Sequence, residues 1–185
     1  MVESPVLATA RLVLRPWRLS DALAVAGYAN DEAWSRYLPV PRPYASADAE
    51  WFVATAVLAD RALHPMFTVT LDGIAIGGID LHVTGGDAVA SLGYSLAAMY
   101  WGQGYTLEAA TAVIDWAFPA LGLAKVFATA DERNRQSWRV MEKLGMTREG
   151  VLRSHRILRG ERQDVVYYGL LREEWERAAG GRARG

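Results

Sequence analysis

The spacing of hydrophobic and polar positions changes several times along the chain, and each change marks an element. Residues 11–17, Arg-Leu-Val-Leu-Arg-Pro-Trp, alternate apolar and basic side chains, the period of a half-buried strand. Ser20 and Asp21 then offer an N-cap for a helix to Asn30, with Leu23, Ala26 and Gly27 at helical spacing. A proline-rich loop follows at 39–43. Ser46 opens a second helix, expected to reach about Leu63 with Trp51, Ala54, Thr55 and Leu58 as its apolar stripe. From Met66 the period shortens to two. Residues 67–71 read as a strand, Asp72-Gly73 as a hairpin turn, 74–83 as its partner, and 88–97 as a third strand after the turn at 84–87. Three strands joined by tight turns make an antiparallel meander, which excludes a βαβ repeat here.

The second half returns to helical spacing. A glycine-bearing loop leads into a helix from about Gly104 to Phe118, closed by Pro119 and Gly122, with Leu107, Ala110, Thr111, Ile114 and Phe118 on one face. A short strand at 126–130, a helix at 134–144 ended by Gly145, a strand at 165–171 and a short charged helix complete the order. Residues 180–185 read as a frayed tail. With no internal repeat and no linker, residues 1–185 are expected to form one α+β domain.

Composition narrows the function classes. A chain of 185 residues suits one compact core, and its net charge of −1 gives no reason for attraction to nucleic acid or an anionic membrane. There is no cysteine, so disulfides, thiolate metal ligands and a cysteine nucleophile are excluded. Glu3 stands where a signal peptide would be basic, and no apolar run approaches the ~20 residues that span a bilayer. His64, His82 and His155 lack metal-ligand spacing. These features lead to the expectation of a cytoplasmic protein that uses no metal.

The chemistry concentrates after the meander. Gly102 and Gly104 allow a tight turn just ahead of a helix, where unsatisfied N–H donors and the helix dipole attract phosphate. Two glycines alone are a weak signal, since they could serve only to turn a strand into a helix. The context is more specific: antiparallel strand, glycine loop, amphipathic helix, strand, then an Asn-x-x-Ser helix.

Residues 101–109, Trp-Gly-Gln-Gly-Tyr-Thr-Leu-Glu-Ala, followed by 134–146, Asn-Arg-Gln-Ser-Trp-Arg-Val-Met-Glu-Lys-Leu-Gly-Met, and Glu149-Gly150, resemble the RimJ/RimL branch of the GNAT acetyltransferases. The opening Thr9-Ala10-Arg11-Leu12-Val13-Leu14-Arg15 is similar to the first strand of that branch. The resemblance implies the GNAT fold, a single domain with a mostly antiparallel mixed sheet, splayed at the cofactor site and flanked by helices. It implies acetyl-CoA as donor and a primary amine as acceptor. The pantetheine arm would lie along Leu96, Ala97 and Ala98, with the Leu96 N–H bonding the thioester carbonyl. Gly102, Gln103, Gly104, Tyr105 and Thr106 would hold the pyrophosphate. Asn134 would contact the pantetheine arm, and Ser137 would protonate the departing thiolate. Homodimers are common in the family, although no segment here demands one.

Two positions depart from the pattern. Met99 stands where many relatives carry Arg or Gln toward the phosphates, and about Ser91 where many carry a basic glutamate. The general base is therefore unassigned. His82 and Asp80 share one face of their strand and are candidates, against the plainer reading that both are surface polar groups. His155 is no better supported. The plainer alternative is a helix-surface serine at Ser137 and a simple cap at Asn134; for Asn134 the family context favours the ligand role. Tyr94, Trp34, Tyr37 and Tyr44 either line an acceptor pocket or pack the core, with Trp17 assigned to the core. Arg148, Arg153, Arg156, Arg159 and Arg162 form a basic concentration, read as either a 3′-phosphate site or a solvated hairpin face. The branch resemblance favours a protein N-terminal α-amine such as that of a ribosomal protein. The alternatives are a small-molecule amine (antibiotic, amino acid or polyamine) and a non-catalytic acyl-CoA-binding module.

Overall fold

The computed structural model describes residues 5–84 and 86–182. They form two compact units: the described residues of Met1–His82 and Gly93–Val113, and those of Val83–Leu92 and Ile114–Gly185. The chain passes between the units within two successive strands and again within one helix.

In the first unit, strands β1 (Leu7–Ala8), β2 (Leu12–Pro16), β3 (Met66–Leu71) and β4 (Ile74–Thr84, all but its last two residues) pair antiparallel in sequence order. Leu12 and Leu14 are buried and the intervening Val13 is exposed, as the alternation at 11–17 predicts. Asp72 and Gly73 both take positive φ in the hairpin turn. A bulge interrupts the β3–β4 register, Val69 pairing with Gly77 and Thr70 with Ala75, so Ile76 is the extra residue.

A 3-10 turn (Leu19–Asp21) and helices α1 (Ala22–Ala29), α2 (Glu32–Ser35) and α3 (Ser46–Leu58) follow β2 or precede β3. Asp21 anchors this turn by accepting from the Arg18 N–H at 2.9 Å and pairing with both terminal nitrogens of Arg15 at 2.8 Å. Burial raises the Asp21 carboxyl, but these hydrogen bonds win and hold it below the usual range. The apolar stripes expected on both helices are on the wrong faces. Leu23 and Trp51 are 84% and 72% exposed, whereas Val25 and Ala29 of α1 and Ala49, Val53 and Ala56 of α3 are buried. These mostly small residues pack with Trp17, Trp34 and Tyr44. Large aromatics fill the space between helices, and only small residues fit opposite them.

Strand β5 (Val89–Leu96) and helix α4 (Tyr105–Ala120) are shared by the units. The turn before β5 includes position 85, which lies outside the described residues. Ala109, Ala110 and Val113 bury α4 in the first unit, and Ile114, Ala117 and Phe118 bury it in the second. The helix continues one residue past Pro119.

The second unit holds β6 (Lys125–Asp131), α5 (Arg135–Lys143), β7 (Thr147–Leu158), β8 (Glu161–Leu171) and α6 (Arg172–Arg182). The strand order is β1-β2-β3-β4-β5-β6-β8-β7, with β5–β6 parallel among antiparallel neighbours. The β5 ladder covers only Lys125 to Phe127 of β6, whereas β8 pairs with all seven β6 residues. So short a parallel contact is what a splayed pair requires. The Arg172 guanidinium donates to the Phe118 and Leu123 carbonyls, closing the end of α4. Backbone at 180–182, expected to be tail, is helical; residues 183–185 lie outside the described residues.

Candidate functional site

The end of β5 and the loop after it lie together within the first unit. A Cβ at Gly77 would fall 2.2 Å from the Ser95 carbonyl oxygen and 2.7 Å from Leu96 Cα. Only a glycine on β4 therefore admits the end of β5. The bulged Ile76 accepts from the Ala97 N–H at 2.8 Å. Successive strand residues direct their amides to opposite edges, so the Leu96 N–H points to the edge away from β4. The Leu96 carbonyl on that edge accepts from Trp101 Nε1 at 2.7 Å.

Beyond Leu96 several backbone carbonyls are tied down. Ala97 and Ala98 accept from the Tyr100 and Trp101 N–H groups, Met99 from the Gln103 side chain, and Gly104 from the Glu108 N–H. Gly102 and Gly104 have φ of +76° and +82°, which explains both glycines conformationally. The loop then runs into α4, whose first N–H groups have no intrahelical partner. Gly102, Gln103, Gly104, Tyr105 and Thr106 thus sit together at a helix N-terminus suited to a phosphate.

Arg11 and Glu108 brace this loop, a role that the sequence reading missed. Arg11 Nη1 donates to the Gln103 carbonyl at 3.0 Å, and its Nε lies 2.7 Å from Glu108 Oε2. The Arg11 backbone N–H and the Thr9 hydroxyl both donate to Glu108 Oε1. The Arg11 guanidinium also lies over the Tyr105 ring, 4.3 Å from its centroid. Burial works to raise the Glu108 carboxyl, but these donors hold it below the usual range, so it stays charged and paired. The signal was present in the opening strand motif, where Arg11 alternates outward from Leu12.

Asn134 and Ser137 belong to the second unit. Asn134 caps α5, its Oδ1 accepting from the Ser137 N–H at 3.3 Å, so only its amide nitrogen is left to donate to a ligand. Ser137 is half-buried one turn into the helix. The approach to the cap is rigid. Asp131, 1% exposed, accepts from the Arg133 N–H at 2.8 Å and pairs with its guanidinium. Burial raises Asp131, and the bonds to Arg133 overcome it and leave the carboxyl lowered.

His82 is exposed near the end of β4, and its ring packs edge-on against His64 at 5.2 Å between centroids. His64 in turn binds Asp80, Nε2 to Oδ2, at 2.9 Å. The bond to Asp80 raises His64 above its ordinary value, against the opposing effect of burial. His155, on β7, is 3.5 Å from the Tyr167 hydroxyl. Trp17, Trp34 and Tyr44 are core residues, as expected for Trp17, and the buried Trp34 Nε1 has no hydrogen-bond partner. Arg148 pairs with Glu132, Arg156 with Gln163, and Arg162 donates to the Ser154 carbonyl, a pattern of local bracing on the hairpin.

Residues 11–147 match the acetyltransferase (GNAT) domain family. The chain belongs to the GNAT acetyltransferase family. It is 31% identical over 169 residues to the uncharacterized N-acetyltransferase YnaD of Bacillus subtilis, covering 91% of this chain and 98% of that protein. It is also similar to the crystal structure of a GNAT-family acetyltransferase from Bacillus anthracis (TM-score 0.82, 31% identity, 92% of this chain and all of that one). The fold is shared with RimL, a ribosomal L7/L12 α-N-protein acetyltransferase solved in complex with coenzyme A (TM-score 0.81, 20% identity, 92% and 98% covered). This acetyltransferase therefore has the GNAT fold. Among the described residues, no helix is long and apolar enough to cross a membrane, and no cluster of His, Asp and Glu has the make-up of a metal site.

Proposed function

We propose that this acetyltransferase moves acetyl from acetyl-CoA directly to a primary amine, and that the amine is a protein N-terminus. The observation that carries the donor assignment is the Gly102–Gly104 loop, with its Gln103 and Gly104 carbonyls tied back at the N-terminus of a long helix. The Leu96 N–H would polarise the thioester carbonyl and stabilise the oxyanion as the amine attacks, a contribution of about 3 kcal/mol in comparable sites. Backbone at Ala97 and Ala98 would flank the pantetheine arm, and the Asn134 amide would donate to it. The attacking nitrogen forms the C–N bond, the C–S bond breaks, and the sulfur leaves as thiolate to be protonated by Ser137. With no cysteine in the chain, a cysteine-bound acyl intermediate is excluded and direct transfer is favoured. Support for the N-terminal acceptor comes from the strand and loop motifs that resemble the RimJ/RimL branch.

Incubation of the protein with acetyl-labelled acetyl-CoA and a cell lysate, followed by separation of macromolecules from metabolites, tests both parts. The expected result is label on protein, at N-terminal residues in peptide maps. Label confined to metabolites would replace the acceptor while keeping the reaction. Acetyl-CoA binding without label on any amine would leave only an acyl-CoA-binding module.

A further inference from the structure

We propose that His64 and Asp80 form the proton-accepting pair for the acceptor amine, an assignment that rests on the reaction above and supplies its missing base. Asp80 lies directly over Gly93 of β5, where an added Cβ would fall 2.7 Å from its Oδ1. Its other oxygen binds His64 Nε2 at 2.9 Å, and the two side chains are 32% and 35% exposed. His64 arrives from the loop after α3 and is fixed there by its own N–H, which donates to the Asp60 carbonyl at 2.6 Å. The His82 ring completes the group at an interplanar angle of 85° to His64. Asp80 and His82 of β4 are thus the titratable side chains that face His64.

Position connects this pair to the chemistry. Leu96 lies three residues beyond Gly93, about 10 Å at the rise of a strand. The Leu96 N–H faces the strand edge away from β4, so a thioester bound there sits beside the end of β5, and an amine approaching it from the Gly93 end would pass its proton to the pair through ordered water. A surface ion pair contributes little to stability and does not account for a glycine beneath it. A glycine inside a strand costs about 0.5–1 kcal/mol, and here it gives the carboxylate its seat over β5.

In the proposed step the ammonium N–H bond breaks and the proton crosses ordered water to the pair. Neutral imidazole becomes imidazolium, held by the Asp80 carboxylate. The freed lone pair forms the C–N bond and the C–S bond breaks, Ser137 gives its hydroxyl proton to the departing sulfur and takes up the second N–H proton, and the imidazolium releases its proton to solvent. The pair accepts only while His64 is neutral, so the rate falls as pH drops through the raised His64 value.

The experiment compares wild type with H64Q, D80N and H155Q, using the amine labelled in the lysate experiment as acceptor. Readouts are kcat and kcat/KM from about pH 5.5 to 9, with acetyl-CoA affinity and thermal unfolding measured separately. H64Q is expected to lose about 100-fold in kcat and to lose the acid limb, with acetyl-CoA affinity within about twofold. D80N is expected to move the acid limb to lower pH, because the group that raises His64 is gone. The acceptor's own titration is common to all variants and cancels. Wild-type rates in both H64Q and D80N, or an acid limb altered only in H155Q, would overturn the pair. A wild type that labels no amine instead overturns the proposed reaction, and this assignment with it.

Discussion

Gly77 and Gly104 are glycines for different physical reasons. Gly104 has φ of +82° and its missing Cβ would meet nothing closer than Arg11 Nη2 at 3.5 Å, so conformation is what demands it. Gly77 has ordinary strand backbone, and its demand is for space beside Ser95 and Leu96. Gly77→Ala is expected to destabilise the fold by about 1–3 kcal/mol through overpacking. Because the displaced atoms present the Leu96 amide, kcat should fall at least about 10-fold in protein that remains folded. Denaturant titration and steady-state kinetics on the variant measure the two effects, and full activity would show that β5 yields harmlessly. Sequence position exposes the first reason, since a glycine just before a helical pattern already reads as a loop. It hides the second, because the crowding atoms come from a strand at the far end of a hairpin. His64 was hidden for the same reason: its partner is set by the pairing of β3 with β4.

At the scale of elements, local patterns located helices well and their buried faces poorly. The α3 sequence carries apolar side chains on more than one side, and the Trp17–Trp34–Tyr44 cluster selects the side with alanines. The loop before α4 shows the same dependence on a neighbour. Its periodicity predicts a helix, but its position is held by Arg11 from the β1–β2 connection through Glu108 and Gln103. Glu108→Gln removes the charge and weakens three donors at once. The expected outcome is a rise of about 10-fold in KM for acetyl-CoA with kcat nearly unchanged, corresponding to about 1.4 kcal/mol of binding. Equal losses in kcat and kcat/KM would place Glu108 in the chemical step rather than in the loop's support.

For the whole molecule, a ligand that binds only the folded chain must stabilise it. Acetyl-CoA at about 100 times its dissociation constant should add about 2.7 kcal/mol, or about 5–10 °C in melting temperature for a chain of this size. Thermal melts with and without acetyl-CoA read this directly, and an unmoved transition would contradict the donor assignment. The long strand β7 was not read in the sequence, whereas the meander, the glycine loop with its helix, and the capped Asn134 helix were determined by the sequence alone. Each rests on side-chain period or turn chemistry within a few consecutive residues. Which helix faces are buried, that Gly77 must be a glycine, that Arg11 holds Gln103, and that His64 meets Asp80 were decided by tertiary structure alone. Those contacts join residues distant in the chain, and their partners are set by strand register and close packing.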